Sequence, residues 1–245
     1  MHHPRVIAVI PARHASTRFP GKPLALILGK PLLQWVWEGA KESKLIQKIV
    51  VATDDSKIAQ VATSFGAEVV MTRADHPSGT DRVAEAVANE KADWVLNLQG
   101  DEPLIRGALL DQIVQGLGAE LSMATIATPL HDPDDVDRPD IVKVTIDSNG
   151  KATSFSRKVS PEEKNRNHFQ HVGLYAYRPT TLQQLVLLPP SDGEKRERLE
   201  QLRALENGIA IQVLTLNFKF VGVDTPGDVL RAERALADRA TTISK

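Results

Sequence analysis

The chain has 245 residues, with 30 Lys and Arg against 31 Asp and Glu for a net charge of -1, and 42% of its residues are hydrophobic. That length suits one large α/β domain or two small ones, and the near-neutral charge argues against a general nucleic-acid binder while leaving room for a local cationic cluster. No cysteine is present, which excludes disulfides, zinc–thiolate sites and cysteine nucleophiles and leaves oxygens and imidazoles for hard cations such as magnesium. No apolar run approaches membrane-spanning length and no signal-peptide core opens the chain, so a cytoplasmic protein is expected.

The first apolar run, Val6–Ile10, reads as a buried strand stopped by Pro11. The loop after it carries Arg13, Ser16, Thr17, Arg18 and Lys22 around Gly21, with Pro20 and Pro23 stiffening it. Fixed cations, hydroxyls and a glycine after a strand suit a polyphosphate. The spacing matches neither a P-loop nor a dinucleotide fingerprint. Pro31 then opens a helix to about Lys41, in which Trp35 and Trp37 read as packing residues. Lys48–Ala52 is a second strand, Ser56–Phe65 a helix stopped by Gly66, and Glu68–Met71 a third strand. This alternation predicts a parallel sheet, whose ligands bind at the strands' carboxyl ends. Arg13, Thr53, Asp54 and the residues after Met71 would share that rim.

SGTDR, residues 78–82, stands before a predicted helix Val83–Asn89. Its Ser, Gly and Thr could face an anion or a base, or simply cap the helix. Trp94–Leu98 is a fourth strand running into Gln99-Gly100-Asp101-Glu102-Pro103. Asp101 there could hold magnesium or belong to an ordinary turn, and the cationic loop on the same rim favours the metal. A helix at about Ala108–Leu117 and a strand Ser122–Pro129 follow, and then an acidic, proline-bearing connection over 131–140. Asn149-Gly150 between Val142–Ile146 and Ala152–Phe155 signals a hairpin and a shift to antiparallel pairing near residue 140. After a polar loop over 158–167, His171–Tyr177 alternates so that His171, Gly173, Tyr175 and Tyr177 share a face. Thr180–Leu187 and Glu194–Asn207 read as helices, the second stopped by Gly208. Glu200 and Gln201 lie on the second, where spacing alone suggests a solvated face. Ile211–Leu216 is a strand, and Asp224-Thr225-Pro226 introduces a last helix Gly227–Leu236, with Asp228 at a capping-box-like spacing from Thr225.

Eight strings occur in order: IPARHASTRFPGKPL, VATDD, SGTDR, NLQGDEP, FSR, HVGLYAYR, LEQLRALENG and VDTPGD. With them the chain resembles, nearly end to end, the 3-deoxy-manno-octulosonate cytidylyltransferases (CMP-Kdo synthetases). The resemblance implies a nucleotide-diphospho-sugar transferase-like α/β fold, a mixed sheet with helices on both faces and a smaller antiparallel subregion, usually as a homodimer. The implied organisation is one nucleotidyltransferase domain, with 1–139 mainly for the nucleotide, 140–217 for the sugar and dimerisation, and 218–245 closing the metal site. The implied reaction is attack of the anomeric hydroxyl of Kdo on the α-phosphate of CTP, giving CMP-Kdo and pyrophosphate with Mg2+ for lipopolysaccharide assembly. By matching position, Arg13, Ser16 and Lys22 would hold the triphosphate, and Thr53, Asp54, Ser78, Gly79, Thr80 and Arg82 would surround base and ribose. Asp101 and Asp224 would hold magnesium, and Gln99 would serve the nucleotide and the sugar alike. Arg18, Arg157, His171, Tyr175, Glu200 and Gln201 would complete the sugar pocket. Arg13, Lys22, Asp101 and Asp224 are the implied catalytic set.

One departure stands out. Between Arg157 and His171 the family usually carries a longer segment with an Ile-Pro and an aromatic-rich stretch, where this chain has KVSPEEKNRNHFQ. An 8-amino analogue of the sugar, or a sialic-acid type of substrate, is therefore an alternative. A non-catalytic nucleotide sensor is another, although the retained Lys22, Asp101 and Asp224 argue against it.

Overall fold

The computed structural model describes residues 4–15, 18–130, 132–163, 167–218 and 220–243. The chain forms two compact units, residues 1–115 with 220–245, and residues 116–219.

The first unit is built on β1 (Val6–Ala12), β2 (Leu26–Ile27), β3 (Lys30–Pro31), α1 (Leu32–Lys41), β4 (Lys48–Thr53), α2 (Ser56–Ser64), β5 (Glu68–Met71), α3 (Gly79–Ala86), β6 (Trp94–Asn97) and α4 (Gly107–Gln115). β1 runs parallel to both β4 and β6, and β5 extends the sheet beyond β4. Burial on both faces explains why β1 is apolar throughout, Val6 to Ile10 being fully buried. The strand does not stop at Pro11, as its sequence suggests, but reaches Ala12 opposite Thr53. Val9 O accepts from Leu98 N, so Val9 and Pro11 direct their backbone groups to the β6 side, where pairing ends at Val9. The N–H that Pro11 lacks would have had no ladder partner there.

α3 begins at Gly79, four residues before the predicted start, because Ser78 is its cap: the Ser78 hydroxyl accepts from Thr80 N at 3.1 Å and Asp81 N at 3.3 Å. The β2–β3 hairpin has no sequence signal of its own. Its turn puts Leu28 (φ 49) and Gly29 (φ 75) in the left-handed region, and Glu233 accepts from Leu28 N at 2.9 Å.

The second unit contains β7 (Met123–Pro129), β8 (Lys143–Ile146), β9 (Ala152–Ser156), β10 (His168–Tyr177), α5 (Pro179–Leu187), α6 (Asp192–Glu197), α7 (Gln201–Glu206) and β11 (Gln212–Thr215). β10 is antiparallel to β7 and β8, β9 is antiparallel to β8, and β11 is parallel to β7. The β8–β9 hairpin turns at Asp147–Gly150 as its Asn-Gly signal predicts, with Gly150 at φ 75. The acidic connection carries a 3-10 turn over Pro133–Asp137, and the polar loop another over Pro161–Glu163.

The helix predicted over Glu194–Asn207 is two helices. Arg198 sits between them at φ 56, ψ 47. Arg203 reaches Glu194 through two bonds of 2.8 and 2.6 Å, and Glu206 accepts from Gly193 N. In one continuous helix, residues nine apart would be about 13 Å apart along the axis. The buried ion pair therefore requires the break, which also carries Leu199 into the core at 5% exposure.

The chain returns to the first unit with α8 (Asp228–Ile243), longer than the predicted Gly227–Leu236. The carboxylate of Asp228 accepts from Asp224 N, Thr225 N and the Thr225 hydroxyl, so Asp228 rather than Thr225 ties off the helix start. Val221, Val223, Ala232 and Leu236 pack with Ile27 and Leu32 in a small core of the first unit. That apolar anchor, with Val223 N donating to Asp101 O at 2.9 Å, brings Asp224 beside Asp101.

Candidate active site

β1, β4, β5 and β6 end together at their carboxyl ends, and an open cleft of about 290 Å³ lies there in the first unit. Arg13 follows β1 directly. Lys22 is set by Gly21, whose φ of 72 suits glycine and whose N–H closes the loop onto His14 O at 3.0 Å. Asp101 follows β6, and Asp224 arrives on the Val221–Val223 anchor.

These residues meet. Lys22 Nζ lies 2.7 Å from Asp101 Oδ2 and 3.4 Å from Asp224 Oδ1, and Arg18 Nη2 lies 2.8 Å from the same Asp224 oxygen. One ammonium thus spans two carboxylates from distant parts of the chain. Arg13, Ser78, Gly79, Arg82 and Gln99 complete the expected lining. Arg82 is buried, with Asp54 at 3.1 Å and a hydrogen bond to Thr72, so its charge is compensated before any ligand arrives. Ser78 spends its hydroxyl on the α3 cap and on Asp81, and α3 contributes the positive end of its dipole at the cleft wall. The capping reading of SGTDR therefore holds for the Ser78 side chain, within a cleft-lining segment.

Three expected nucleotide residues do not line the cleft. Thr53 is fully buried and accepts from Asp55 N, Thr80 is bonded to the buried Asn97, and Asp54 stands behind Arg82. Ser16 lies outside the described residues. His76 lines the cleft and was not singled out in the sequence. Its Nε2 bonds to Glu85 Oε2, and its only sequence signal is a position two residues before SGTDR. Glu102, beside Asp101, is a second residue that the sequence does not single out, and it is buried rather than part of the cleft lining. Burial, then the neighbouring Asp101, push its carboxyl well above the usual range against the pull of Lys22.

Arg157, His171, Tyr175, Glu200 and Gln201 belong to the second unit. Thr125 Oγ1 donates to Leu174 O at 2.8 Å, so the 3.0 Å contact with His171 is donated by His171 Nε2–H. Burial lowers the His171 pKa to about 3, and the ring is neutral at physiological pH. Burial also pushes the Tyr175 phenol upward, aided by Tyr177 and Glu200. His171 packs edge-on against Phe155 and 5.5 Å from Tyr175, which stacks on Tyr177. The predicted shared face survives a shift in strand pairing between Val172 and Tyr175 because two residues, not one, are inserted. Gln201 is 5% exposed and its buried Nε2 has no partner among the described residues. Such a donor is costly unless a ligand or water meets it.

A parallel sheet whose strand ends carry a cationic loop, a helix start and two convergent carboxylates defines an α/β enzyme acting on a nucleotide or another phosphate ester. Comparison with known proteins sharpens this. The cytidylyltransferase family model matches residues 7–211. The 3-deoxy-manno-octulosonate cytidylyltransferase of Thermodesulfovibrio yellowstonii is 46% identical, covering 94% of this chain and 97% of its own. That of Pseudomonas fluorescens is also 46% identical, over 93% and 96%. A solved CMP:2-keto-3-deoxy-manno-octonic acid synthetase complexed with CTP superposes with a TM-score of 0.89 at 38% identity, covering 96% of this chain and 99% of that one. A cytidylyltransferase structure from Leptospira borgpetersenii, at 17% identity and a TM-score of 0.63, shares the fold. The chain belongs to the 3-deoxy-manno-octulosonate cytidylyltransferase family of enzymes.

Proposed function

We propose that the chain transfers CMP from CTP to the anomeric hydroxyl of 3-deoxy-D-manno-octulosonate, releasing pyrophosphate, in the cytoplasm and for lipopolysaccharide assembly. The observation that carries this reading is the Lys22 ammonium spanning Asp101 and Asp224, beside Arg13 and Arg18 in one cleft. In this reading Arg13 and Lys22, with Ser16, hold the triphosphate, and their charge offsets that growing on the departing pyrophosphate. Arg82 and the Ser78–Thr80 segment serve base and ribose, Asp54 and Thr53 supporting them from behind. Gln99, Arg18, Arg157, His171, Tyr175, Glu200 and Gln201 recognise the sugar acid. His171, being neutral, contributes a hydrogen bond and shape rather than charge.

Magnesium fits this donor set. Asp101 and Asp224 already share one cation, the Lys22 ammonium, and supply two carboxylates rather than a cluster of three or more protein ligands, which occurs nowhere among the described residues. Two carboxylates with phosphate oxygens completing the shell is a usual magnesium environment. Asp101 and Asp224 would hold the ion, which when bound would polarise the α-phosphate and neutralise pyrophosphate charge. Lys22 would then be released to the phosphates. Two copies of the chain would associate as a homodimer, which light scattering can test.

Pyrophosphate release with CTP, magnesium and Kdo tests the reading, beside the 8-amino analogue and a control without sugar. Release that depends on Kdo supports it. Release only with the analogue would move the specificity to the 8-amino sugar. CTP binding without release with either sugar would leave a different sugar acid as substrate or a sensor.

A further inference from the structure

Lys143 is 1% exposed, yet its ammonium forms no ion pair among the described residues. Instead its three N–H groups donate to three backbone carbonyls: Arg138 O at 2.7 Å, Ile141 O at 2.8 Å and Arg157 O at 2.6 Å. A buried ammonium is expensive unless every donor is met, and here the three donors meet three acceptors. Those acceptors come from the start and end of the 138–141 segment and from the residue just after β9.

Arg157 is held in the same way. Its Nε donates to Glu197 O at 3.2 Å and its Nη1 to Pro139 O at 3.3 Å, with no carboxylate paired to it among the described residues. Pro139 lies within the segment whose two ends Lys143 grips. One ammonium therefore fixes Arg157 at its own carbonyl and brackets the segment that carries Pro139 O, one of the two carbonyls holding its guanidinium. The arrangement leaves a half-buried arginine whose charge is oriented but not neutralised. That state is suited to an incoming carboxylate, since a pre-oriented guanidinium loses little entropy on pairing.

We propose that Lys143 is a positioning residue for sugar-acid recognition, locking the backbone of Arg157 and the 138–141 segment so that the guanidinium is preset for the substrate's carboxylate. This rests on the reading that Arg157 contacts the sugar acid. A methionine in place of Lys143 keeps most of the stem and removes the charge and all three donors.

The test is steady-state kinetics of Lys143→Met, Lys143→Arg and Arg157→Ala with CTP and Kdo. The expected result for Lys143→Met is a KM for Kdo raised about tenfold or more, with the KM for CTP within about twofold of the parent. Lys143→Arg, which keeps the charge and several donors, recovers part of the loss. A purely structural role would lower the active fraction, and so kcat, without moving the KM for Kdo. An unchanged KM for Kdo in Lys143→Met, with a raised one in Arg157→Ala, overturns the inference and leaves the sugar-site reading intact. An unchanged KM in Arg157→Ala overturns that reading for Arg157 and this inference with it. Should Lys143→Met yield no folded protein, Lys143→Gln, which retains two shorter-reaching donors, decides by the same split.

Discussion

His171 makes the second unit acid-sensitive in a way that can be isolated. Its ordinary pKa of 6.5 falls to about 3 on burial, with Nε2–H already committed to Thr125. The unfolded chain therefore binds a proton that the folded chain refuses between these two values. The stabilisation is complete above pH 6.5 and is lost as pH falls toward 3, at about 1.4 kcal/mol per pH unit. At pH 5 the loss from this one ring is about 2 kcal/mol. Glu102 works in the opposite direction: its raised folded pKa gives a contribution that is present at low pH and lost as pH rises above 4.5. The difference between parent and His171→Gln removes that background, because glutamine can still donate to Thr125 and does not titrate. The chain's two tyrosines, Tyr175 and Tyr177, lie in the second unit, and its three tryptophans, Trp35, Trp37 and Trp94, lie in the first. Urea unfolding followed by tyrosine second-derivative absorbance thus reads the relevant unit, with tryptophan fluorescence as an internal reference. From pH 7 to 5 the tyrosine transition of the parent should lose about 2 kcal/mol more than that of His171→Gln. Parallel losses in the two proteins would refute the argument and mean that the buried ring finds a partner for its charge.

Two further outcomes are expected. A Cβ on Gly107 would stand 2.1 Å from the carbonyl carbon of Glu42 and 2.2 Å from Ser43 N, both backbone atoms, so Gly107→Ala should destabilise the first unit by about 3 kcal/mol by forcing α4 from the end of α1. A urea midpoint within error of the parent would contradict that packing. Asp101→Asn, which keeps the shape and halves the shared anionic site, should lower kcat about 100-fold while CTP affinity by calorimetry falls much less. A variant with normal turnover would remove Asp101 from the chemistry.

The legible part of the sequence was the part governed by neighbouring residues. β1, β4 and β5 announced themselves as short apolar runs, and the parallel-sheet rule then placed Arg13, Thr53, Asp54 and the residues after Met71 on a common rim, of which Arg13, Ser78, Gly79 and Arg82 line the cleft while Thr53 and Asp54 stand behind it. The hairpin at Asn149-Gly150 followed from two residues alone. What escaped depended on partners far along the chain. Nothing near Arg198 breaks a helix; the break exists because Arg203 pairs with Glu194 and Leu199 is buried. Pro11 stays in a strand because of where β6 stops pairing.

The same distinction separates two kinds of site residue. Asp101 was readable from its place after β6, whereas Asp224 depends on Val221 and Val223 sinking into a core with Ile27 and Leu32. Its carboxylate reaches Lys22 for an apolar reason, and no charge pattern around it encodes that. Lys143 is the extreme case. Between Val142 and Val144 it reads as the polar member of an alternating strand, yet it is more deeply buried than many of the apolar residues around it. Its place inside is understandable only when three carbonyls from two other segments are counted against its three donors. Spacing finds residues that a sheet delivers to its edge; donor accounting finds those that hold them still.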